Sequence, residues 1–300
     1  MPVKELLLWG ERQLKEAGVA DAARDCKSLY CFLMGIPDSM IVLEYQNIIQ
    51  DSISEKYFQL IERRAAGEPL QYIVGSQDFM GFKILVDERV LIPRLDTEVL
   101  VEDAVSLIND GSLRGEIKGK PGENWDVLDL CSGSGAIGIA VQKLCPKAKV
   151  TCSDISEGAL KLAKENADLN EVGRKIKFLK GDMFEPLNGR FHKATFDMII
   201  VNPPYIASGE IEKLQTEVKD HEPRNALDGG ADGLDFYRII ASQASKHLKK
   251  GGCLFLEIGY DQREAVTGLL QATGEFDEVR CFKDLAGLDR IVYAHCPWKK

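Results

Sequence analysis

The sequence predicts a doubly wound α/β domain preceded by a small helical domain. Three observations support this fold class. Residues 1–66 show helical periodicity throughout, strands and helices alternate from Trp125 onward, and a short turn joins the last two strands, as in an antiparallel hairpin. A chain of 300 residues is long enough for two such domains.

The N-terminal part is predicted to be a bundle of helices. The first helix ends at Gly18, the second begins after the capping residue Asp21 and stops at Gly35, and the third covers about 51–66. We assign residues 1–75 to this domain. Its pattern suits a stabilising module as well as a substrate-docking module, and we assign it the docking role.

A β-hairpin is predicted between the two domains. Hydrophobic alternation over 82–86 follows a turn at Met80 and Gly81, so we assign residues 76–94 to a hairpin linker.

The larger domain is assigned to residues 95–300. We expect it to open with a helix for which Asp96 is the N-cap, followed by a mobile surface loop over 109–124, where glycine and charge are concentrated. Four strands that alternate with helices or loops come next, and their sequences are DVLDL, KVTCSD, KIKFLKGD and FDMIIVN.

A polar residue stands at the end of each of these strands. In chain order these residues are Asp129, Asp154, Asp182 and Asn202. Because the carboxyl ends of the strands of an open α/β sheet form its ligand crevice, we expect the four side chains to lie near one another. Each acid could instead cap the following helix. The set as a whole favours a ligand site.

A glycine-rich turn follows the first of these strands. Gly133, Gly135 and Gly138 form the pattern GxGxxG where a helix opens, which brings backbone N–H groups and the helix N-terminus close to a ligand. Asp154 follows about 20 residues later, as in dinucleotide-binding sites. The same turn also serves S-adenosylmethionine enzymes, so the glycines leave both cofactors open.

The fourth strand ends in the segment Asn202, Pro203, Pro204 and Tyr205. Two prolines cannot donate to a sheet ladder, and each restricts the residue before it to extended backbone. The segment is therefore either a rigid strand exit or a preorganised polar site. It resembles the signature of class I methyltransferases that act on nitrogen conjugated to a π system.

The chemistry of such a nitrogen explains these residue types. An amide or aromatic amino group is a poor nucleophile because its lone pair is delocalised. If the Asn202 side-chain oxygen and the Pro203 carbonyl accept the two N–H bonds, they hold the nitrogen with its lone pair directed at a methyl donor. The Tyr205 ring can stack on the planar group and lie near a sulfonium. We therefore expect Asn202, Pro203 and Tyr205 to be catalytic, and Pro204 to join them in binding substrate.

Further motifs resemble one family, the release factor glutamine methyltransferases (PrmC or HemK). That resemblance implies a seven-stranded class I methyltransferase sheet with a C-terminal antiparallel hairpin, S-adenosyl-L-methionine as methyl donor, and the glutamine of the release factor GGQ loop as acceptor. The matching stretches are EPLQYIVG, LIPRLDTE, LDLCSGSGAIGIA, NPPYI, EPRNALDGGADGLDFYR, LEIGYDQ and KDLAGLDRIV.

The resemblance also implies the residues that contact the cofactor. They are Arg94, Cys131, Ser132, Gly133, Ser134, Gly135, Asp154, Asp182, Met183 and Asn202. Asp154 is expected to bind the ribose hydroxyls and Asp182 the adenine amino group. Arg94 has two equal interpretations, a contact with the cofactor carboxylate or a structural ion pair.

The chain departs from the family pattern at three positions. Leu95 replaces a usual proline, Cys131 stands where many relatives have the first glycine, and Met183 replaces an aromatic residue and is expected to pack on the adenine. A segment over 222–233 is either a cover over the substrate or a connection.

Other functions are less compatible with the sequence. A DNA or RNA amino-methyltransferase is the main alternative, but the net charge of −9 is unsuited to gripping phosphate backbones. A NAD-dependent oxidoreductase gives the NPPY segment no role, and a cofactor-sensing binding protein does not need Asn202 and Tyr205.

The remaining expectations concern partners and environment. We expect a release factor as protein substrate, a monomer, a cytoplasmic location, and neither direct nucleic-acid binding nor a membrane span. The eight scattered cysteines indicate neither disulfides nor a metal site.

Overall fold

The computed structural model describes residues 1–118, 124–189 and 195–298. In chain order the helices are α1 (Val3–Glu16), α2 (Ala22–Met34), α3 (Ile41–Glu44), α4 (Asp51–Ala65), α5 (Leu70–Val74), α6 (Leu95–Asp110), α7 (Ala136–Leu144), α8 (Glu157–Leu169), α9 (Thr216–Lys219), α10 (Asp235–His247) and α11 (Arg263–Ala272). The strands are β1 (Ser76–Phe79), β2 (Phe82–Leu85), β3 (Ser112–Leu113), β4 (Ile117–Lys118), β5 (Asp126–Leu130), β6 (Lys149–Asp154), β7 (Lys177–Lys180), β8 (Phe196–Val201), β9 (Leu248–Glu257), β10 (Glu278–Lys283) and β11 (Asp289–His295).

The chain divides into two compact units. The first contains Met1–Ser76 and Gln215–His221, and the second contains Gln77–Leu214 and Glu222–Lys300. Residues 215–221 thus group with the N-terminal helices although they follow the NPPY segment. The boundaries predicted from the sequence, 1–75, 76–94 and 95–300, placed residues 215–221 in the larger domain. As a set of domain boundaries they stay a prediction.

The first unit is a bundle of amphipathic helices. Its core is formed by one face of each long helix, with fully buried Leu6 and Leu14 from α1, Leu29 from α2, and Tyr57 and Ile61 from α4. The helix α2 ends at Gly35 in the left-handed conformation, as the sequence predicts. The short helices α3 and α5 escaped sequence analysis because four or five residues are too few to show a period.

The second unit is built on a seven-stranded sheet with the order β10-β11-β9-β8-β5-β6-β7. The last five strands in this order are parallel, and β11 pairs antiparallel with both β9 and β10. This arrangement confirms the predicted doubly wound sheet with its C-terminal antiparallel hairpin.

The register of the sheet brings the polar strand ends together. Leu130 of β5 lies opposite Ser153 of β6 and Val201 of β8, and Asp154 lies opposite Lys180 of β7. The residues that follow these positions therefore emerge at one edge of the sheet, as expected for a ligand crevice.

The prediction of Asp96 as an N-cap was wrong. The helix α6 begins two residues earlier than predicted, at Leu95, and Arg94 is the N-cap with extended backbone but no side-chain cap. Asp96 lies in the first turn, where a negative charge is favourable near the positive end of the helix dipole. A carboxylate in a first turn and one at an N-cap give the same sequence signal, which explains the error.

The predicted mobile loop over 109–124 contains ordered structure. The helix α6 continues to Asp110, and β3 and β4 pair as a small antiparallel hairpin. Leu113 and Ile117 are buried, and Arg114 forms an ion pair with Asp103 at 2.8 Å. Residues 119–123 of that prediction lie outside the described residues.

The predicted hairpin over 76–94 is present as β1 and β2. Met80 and Gly81 form its turn, both with positive φ. The Asn166 side chain of α8 accepts a hydrogen bond from the Leu85 N–H at 2.6 Å and donates one to the Leu85 carbonyl at 3.0 Å. These bonds attach the hairpin to the second unit.

Three further features bear on the sequence expectations. No single helix in the described parts of the chain has the length and hydropathy of a membrane span, while the bent pair Ala22–Met34 and Asp38–Glu44 meets those two criteria jointly. All eight cysteines are free thiols. Within the ranges that the structure covers, no group of His, Cys, Asp and Glu could hold a metal ion.

Candidate functional site

A cavity of about 420 Å³ opens at the carboxyl ends of the parallel strands. Its volume lies within the usual range for a small-molecule site. Apolar side chains and a few polar groups form its wall. The residues are Arg89, Val90, Leu91, Leu130, Cys131, Gly133, Ser153, Asp154, Ile155, Ser156, Ala159, Gly181, Asp182, Met183, Asn202, Pro204, Pro223, Asn225, Ala226, Phe236 and Ile239.

The glycine turn forms one wall of this cavity. Cys131, Gly133 and Gly135 all have positive φ, at 59°, 51° and 79°. Left-handed backbone is easiest for glycine, so Cys131 has a conformation that costs more for a residue with a Cβ than for the glycine of the family pattern. Cys131 and Gly133 line the cavity, whereas Ser132, Ser134 and Gly135 do not appear among its described lining residues.

Asp129 lies beneath the turn instead of in the cavity. Its side chain is 1% exposed, and one carboxylate oxygen accepts the Gly138 N–H at 2.9 Å. Burial raises the pKa of Asp129 to about 7. Of the four polar strand ends, Asp129 therefore supports the turn, while Asp154, Asp182 and Asn202 line the cavity.

Asp154 connects the turn to the next helix. One carboxylate oxygen accepts the Gly133 N–H at 2.8 Å, and the other accepts the Ser156 N–H at 2.8 Å. Burial raises the pKa of Asp154, and these two N–H groups oppose the rise. The Asp154 side chain is not the cap of the following helix, which was the alternative interpretation, because Ser156 is the N-cap of α8. Each carboxylate oxygen keeps a lone pair for a ligand hydroxyl.

Met183 and Asp182 form the wall at the end of β7. Met183 is 6% exposed, and its sulfur lies 3.7 Å from the Cys131 sulfur. Two of the three departures from the family pattern, Cys131 and Met183, therefore contact each other. Phe236 and Ile239 of α10 add apolar surface to the same cavity, and Asp182 adds a carboxylate at its mouth. An apolar slot with a carboxylate at its edge can take a flat heteroaromatic ring with an amino group.

Several buried polar atoms near the turn have no partner within the described residues. They are one oxygen of Asp129 and the hydroxyls of Ser132 and Ser153. Buried polar groups are rarely left without a hydrogen bond. Of these three residues, Ser153 lines the cavity, whereas Asp129 and Ser132 do not appear among its described lining residues. The turn, Asp154, Asp182 and the Ser153 hydroxyl together fit a nucleoside-containing cofactor.

The NPPY segment forms a second wall of the cavity, at the end of β8. Asn202 and Pro204 line the cavity, and Pro203 is buried behind them. The Tyr205 hydroxyl lies 3.3 Å from a carboxylate oxygen of Glu257, and burial raises the pKa of this phenol far above its usual range. Tyr205 is therefore uncharged at neutral pH.

Two polar residues that the sequence did not single out lie behind Asn202. The Asn202 side-chain NH2 donates to the Thr97 hydroxyl at 3.3 Å, and this hydroxyl donates to Glu257 at 2.6 Å. Both residues fall in stretches that resemble the family, LIPRLDTE and LEIGYDQ. No local spacing links them, since they are 160 positions apart.

Arg94 takes one of its two expected roles. Its guanidinium forms an ion pair with Glu222, whose carboxylate also accepts the Ile92 N–H at 3.0 Å. Arg94 does not appear among the described residues that line the cavity. The structural ion pair is thus present, and a contact with the cofactor stays a prediction.

The segment after Glu222 is bonded to the chain that follows Tyr205. The Ile206 N–H donates to the Leu227 carbonyl at 3.0 Å, and the Gly229 N–H donates to the Ile206 carbonyl at 2.8 Å. A Cβ at Gly233 would lie 2.4 Å from the Tyr205 carbonyl oxygen, so the close approach requires glycine. This part of 222–233 is an ordered connection, and Pro223, Asn225 and Ala226 within it line the cavity.

Two family models match parts of the chain. Residues 5–75 match the family model described as PrmC N-terminal domain, and residues 117–282 match the methyltransferase small domain.

Curated relatives match nearly the whole chain. A release factor glutamine methyltransferase of Geobacter sulfurreducens is 38% identical over 97% of this chain and 95% of its own length. One of Thermodesulfovibrio yellowstonii is 40% identical over 90% of this chain and 91% of its own.

A likeness to a solved structure supports the fold alone. A methyltransferase from Pyrococcus furiosus is 15% identical to this chain and has a TM-score of 0.50. The match covers 81% of this chain and 99% of that one.

Proposed function

Because the chain belongs to the release factor glutamine methyltransferase family, we propose that it transfers a methyl group from S-adenosyl-L-methionine to a glutamine side-chain amide in the GGQ loop of peptide chain release factors. The observation that carries this proposal is the position of Asn202. This residue lines the cavity together with Cys131 and Gly133 of the glycine turn, and it directly precedes the rigid prolines.

The cofactor supplies a methyl carbon bonded to a positively charged sulfur. We assign its binding to the turn of Cys131, Ser132, Gly133, Ser134 and Gly135, of which Cys131 and Gly133 line the cavity, with Asp154 accepting from the ribose hydroxyls. Charged acceptors form stronger hydrogen bonds than neutral ones, which suits a ligand that must be held in one orientation.

The adenine end is assigned to the slot beside Met183. The methionine side chain is soft and adapts to a ring face, and Asp182 at the mouth can accept from the amino group. Arg94 stays a candidate for the carboxylate end of the cofactor.

The substrate amide is assigned to the NPPY segment. The Asn202 side-chain oxygen and the Pro203 carbonyl accept its two N–H bonds, and the Tyr205 ring and Pro204 bound it on the sides. Held in this way, the nitrogen attacks the methyl carbon while the carbon–sulfur bond breaks and its electron pair goes to sulfur. The N-methylated amide then loses one proton to water, so the reaction requires no dedicated base.

The partner of the reaction is a release factor, whose loop must reach the cavity. We assign docking of the rest of the release factor to the helical unit, and we expect the enzyme to act as a monomer in the cytoplasm. Neither nucleic acid nor a membrane is required for this chemistry.

A labelling experiment tests the proposal. The protein is incubated with S-adenosyl-L-methionine labelled on the methyl group and with release factor, release factor whose GGQ glutamine is changed to alanine, DNA or RNA. We expect label in the first substrate alone, and a mass increase of one methyl on the GGQ peptide. Label in nucleic acid, or in the alanine substrate, would show that the assigned acceptor is wrong.

A further inference from the structure

A chain of hydrogen bonds leads from a buried acid to the cavity wall. Glu257 is 1% exposed, and its two carboxylate oxygens accept from different residues, the Thr97 hydroxyl at 2.6 Å and the Tyr205 hydroxyl at 3.3 Å. The Thr97 oxygen in turn accepts from the Asn202 side-chain NH2 at 3.3 Å. One oxygen of Glu257 thus bonds directly to Tyr205 of the proposed substrate site, and the other is linked to Asn202 of that site through Thr97.

The direction of this chain is fixed by the charge at its end. An ionised carboxylate can only accept hydrogen bonds, so the single hydroxyl hydrogen of Thr97 must point at Glu257. The Thr97 oxygen is then left as an acceptor, and only the NH2 side of the Asn202 amide can face it. The Asn202 side-chain oxygen is consequently turned away from Thr97.

Three neighbours of Glu257 favour its ionised form, against the effect of burial. Burial raises the pKa of Glu257, and the Thr97 hydroxyl, the positive charge of Arg290 and the Tyr205 hydroxyl oppose the rise. Arg290 is itself held by Asp284 at 3.2 Å and by the Ile258 carbonyl at 3.2 Å.

We propose that Thr97 and Glu257 are positioning residues that select the orientation of the Asn202 amide and place its oxygen to receive the substrate N–H. An asparagine amide has two nearly equal-sized ends, and only one of them can accept a hydrogen bond. With the amide turned over, an NH2 group would face the substrate NH2, donor against donor. This inference rests on the proposed function, because the accepted N–H belongs to the substrate glutamine.

The test compares two substitutions at one position. Thr97→Val keeps the shape of the side chain and removes the hydroxyl, whereas Thr97→Ser keeps the hydroxyl. We expect kcat for release factor methylation to fall about 100-fold in Thr97→Val, since small displacements of a positioning group have effects of this size. We expect Thr97→Ser to stay close to wild type, and cofactor Kd by calorimetry to be unchanged in both.

A double-mutant cycle separates positioning from a general structural role. In an Asn202→Ala background the orientation of the amide no longer exists, so adding Thr97→Val should cause little further loss of kcat. Thr267→Val in α11 is the matched control and should leave kcat unchanged, because the Thr267 hydroxyl donates to the Arg263 and Glu264 carbonyls of its own helix. Glu257→Gln should cause the same loss of kcat. The glutamine NH2 can donate to the Thr97 hydroxyl and so reverse the direction of the hydrogen bonds.

Three results would overturn the inference. They are a wild-type kcat in both Thr97→Val and Glu257→Gln, a full additional loss when Thr97→Val is added to Asn202→Ala, and a parallel loss of cofactor affinity. If Thr97→Val does not fold, Thr97→Ala takes its place in the cycle. A wild-type protein that does not methylate the GGQ glutamine would instead contradict the proposed function. The assay of the wild-type protein, made first, distinguishes that result from failure of the inference about Thr97 and Glu257.

Discussion

The two walls of the cavity hold their polar groups in different ways. On the glycine-turn wall, the left-handed backbone at Cys131 and Gly133 shapes the surface, and Asp154 holds the turn through the Gly133 N–H at 2.8 Å. On the NPPY wall, the orientation of Asn202 depends on side chains, through Thr97 to the buried Glu257.

This difference determines what each wall tolerates. A surface made by backbone is insensitive to many side-chain changes but is disturbed wherever a new Cβ meets a neighbour. A surface made by a chain of side-chain hydrogen bonds is insensitive to small changes of volume but depends on the position of each donor and acceptor. Substitutions on the two walls should therefore differ in whether they affect turnover, cofactor affinity or folding.

The largest effect is expected for Asn202→Ala on the side-chain wall. Removing one preorganised hydrogen-bond partner of a reacting group typically lowers kcat about 100- to 1,000-fold. Cofactor affinity should change far less, because we assign the larger role of Asn202 to the substrate amide. Single-turnover methylation of release factor and calorimetric titration of the cofactor measure the two quantities.

Asn109→Ala serves as the control for that prediction. Asn109 is exposed at the end of α6, where its NH2 donates to the Leu144 carbonyl at 3.4 Å and its side chain also bonds to Cys145. The kcat of Asn109→Ala should equal that of wild type. Equal losses of kcat and cofactor affinity in Asn202→Ala would show that this wall binds cofactor, and the contrast between the walls would disappear.

The two walls also differ in how far the sequence predicts them. The glycine turn, Asp154 and Asp182 follow local rules, in which glycine spacing and polar strand ends lie within a few residues of the element that places them. The doubly wound sheet was predicted for the same reason, since periodicity is local. The roles of Thr97 and Glu257 could not be predicted, because their contact joins positions 160 residues apart and neither residue type is unusual in its own helix or strand.

Asp154→Asn should produce the next largest effect, now on the backbone wall. An asparagine at this position has one acceptor oxygen, so its NH2 must face either the Gly133 N–H or the Ser156 N–H, donor against donor. Hydrogen bonds to a charged group contribute about 1.5–3 kcal/mol, which predicts a cofactor Kd raised about 10- to 100-fold.

Calorimetry on Asp154→Asn checks this, with Asp110→Asn at the exposed end of α6 as the matched control. At saturating cofactor the kcat of Asp154→Asn should recover most of the wild-type value. A variant with unchanged Kd and reduced kcat would mean that Asp154 acts on the reacting groups and that our division of labour between the walls is wrong.

Gly138→Ala should affect folding more than binding. A Cβ at Gly138 would lie 2.4 Å from the Cys152 sulfur and 3.0 Å from an Asp129 carboxylate oxygen, because α7 packs closely on the sheet at this point. Overpacking of this kind usually lowers the free energy of unfolding by about 1–3 kcal/mol. Chemical denaturation measures the loss.

Gly268→Ala is the matched control, since it also lies within a helix but a Cβ there meets nothing within 4 Å. It should raise the free energy of unfolding by up to about 1 kcal/mol, from helix propensity alone. Equal stabilities of the two variants would mean that the turn is not held by close packing against β5 and β6.

The smallest effect is expected for a substitution at Leu95, two residues before Thr97. This residue is the first of α6, the helix that carries Thr97, and its side chain is 70% exposed. Proline is favoured at a first helical position, and Arg94 before it already has the extended backbone that a following proline requires, with φ −95° and ψ 148°. Leu95→Pro should therefore raise the free energy of unfolding by about 0.4–1 kcal/mol, mainly by restricting the unfolded chain.

Leu95→Ala separates the two parts of that change, because it removes the exposed leucine without adding a ring. We expect Leu95→Pro to be more stable than Leu95→Ala in chemical denaturation, with kcat equal to wild type in both. A proline that lowers kcat while raising stability would mean that the start of α6 must move during turnover. The side-chain wall would then depend on the mobility of its supporting helix as well as on its hydrogen bonds, a requirement that the backbone wall does not share.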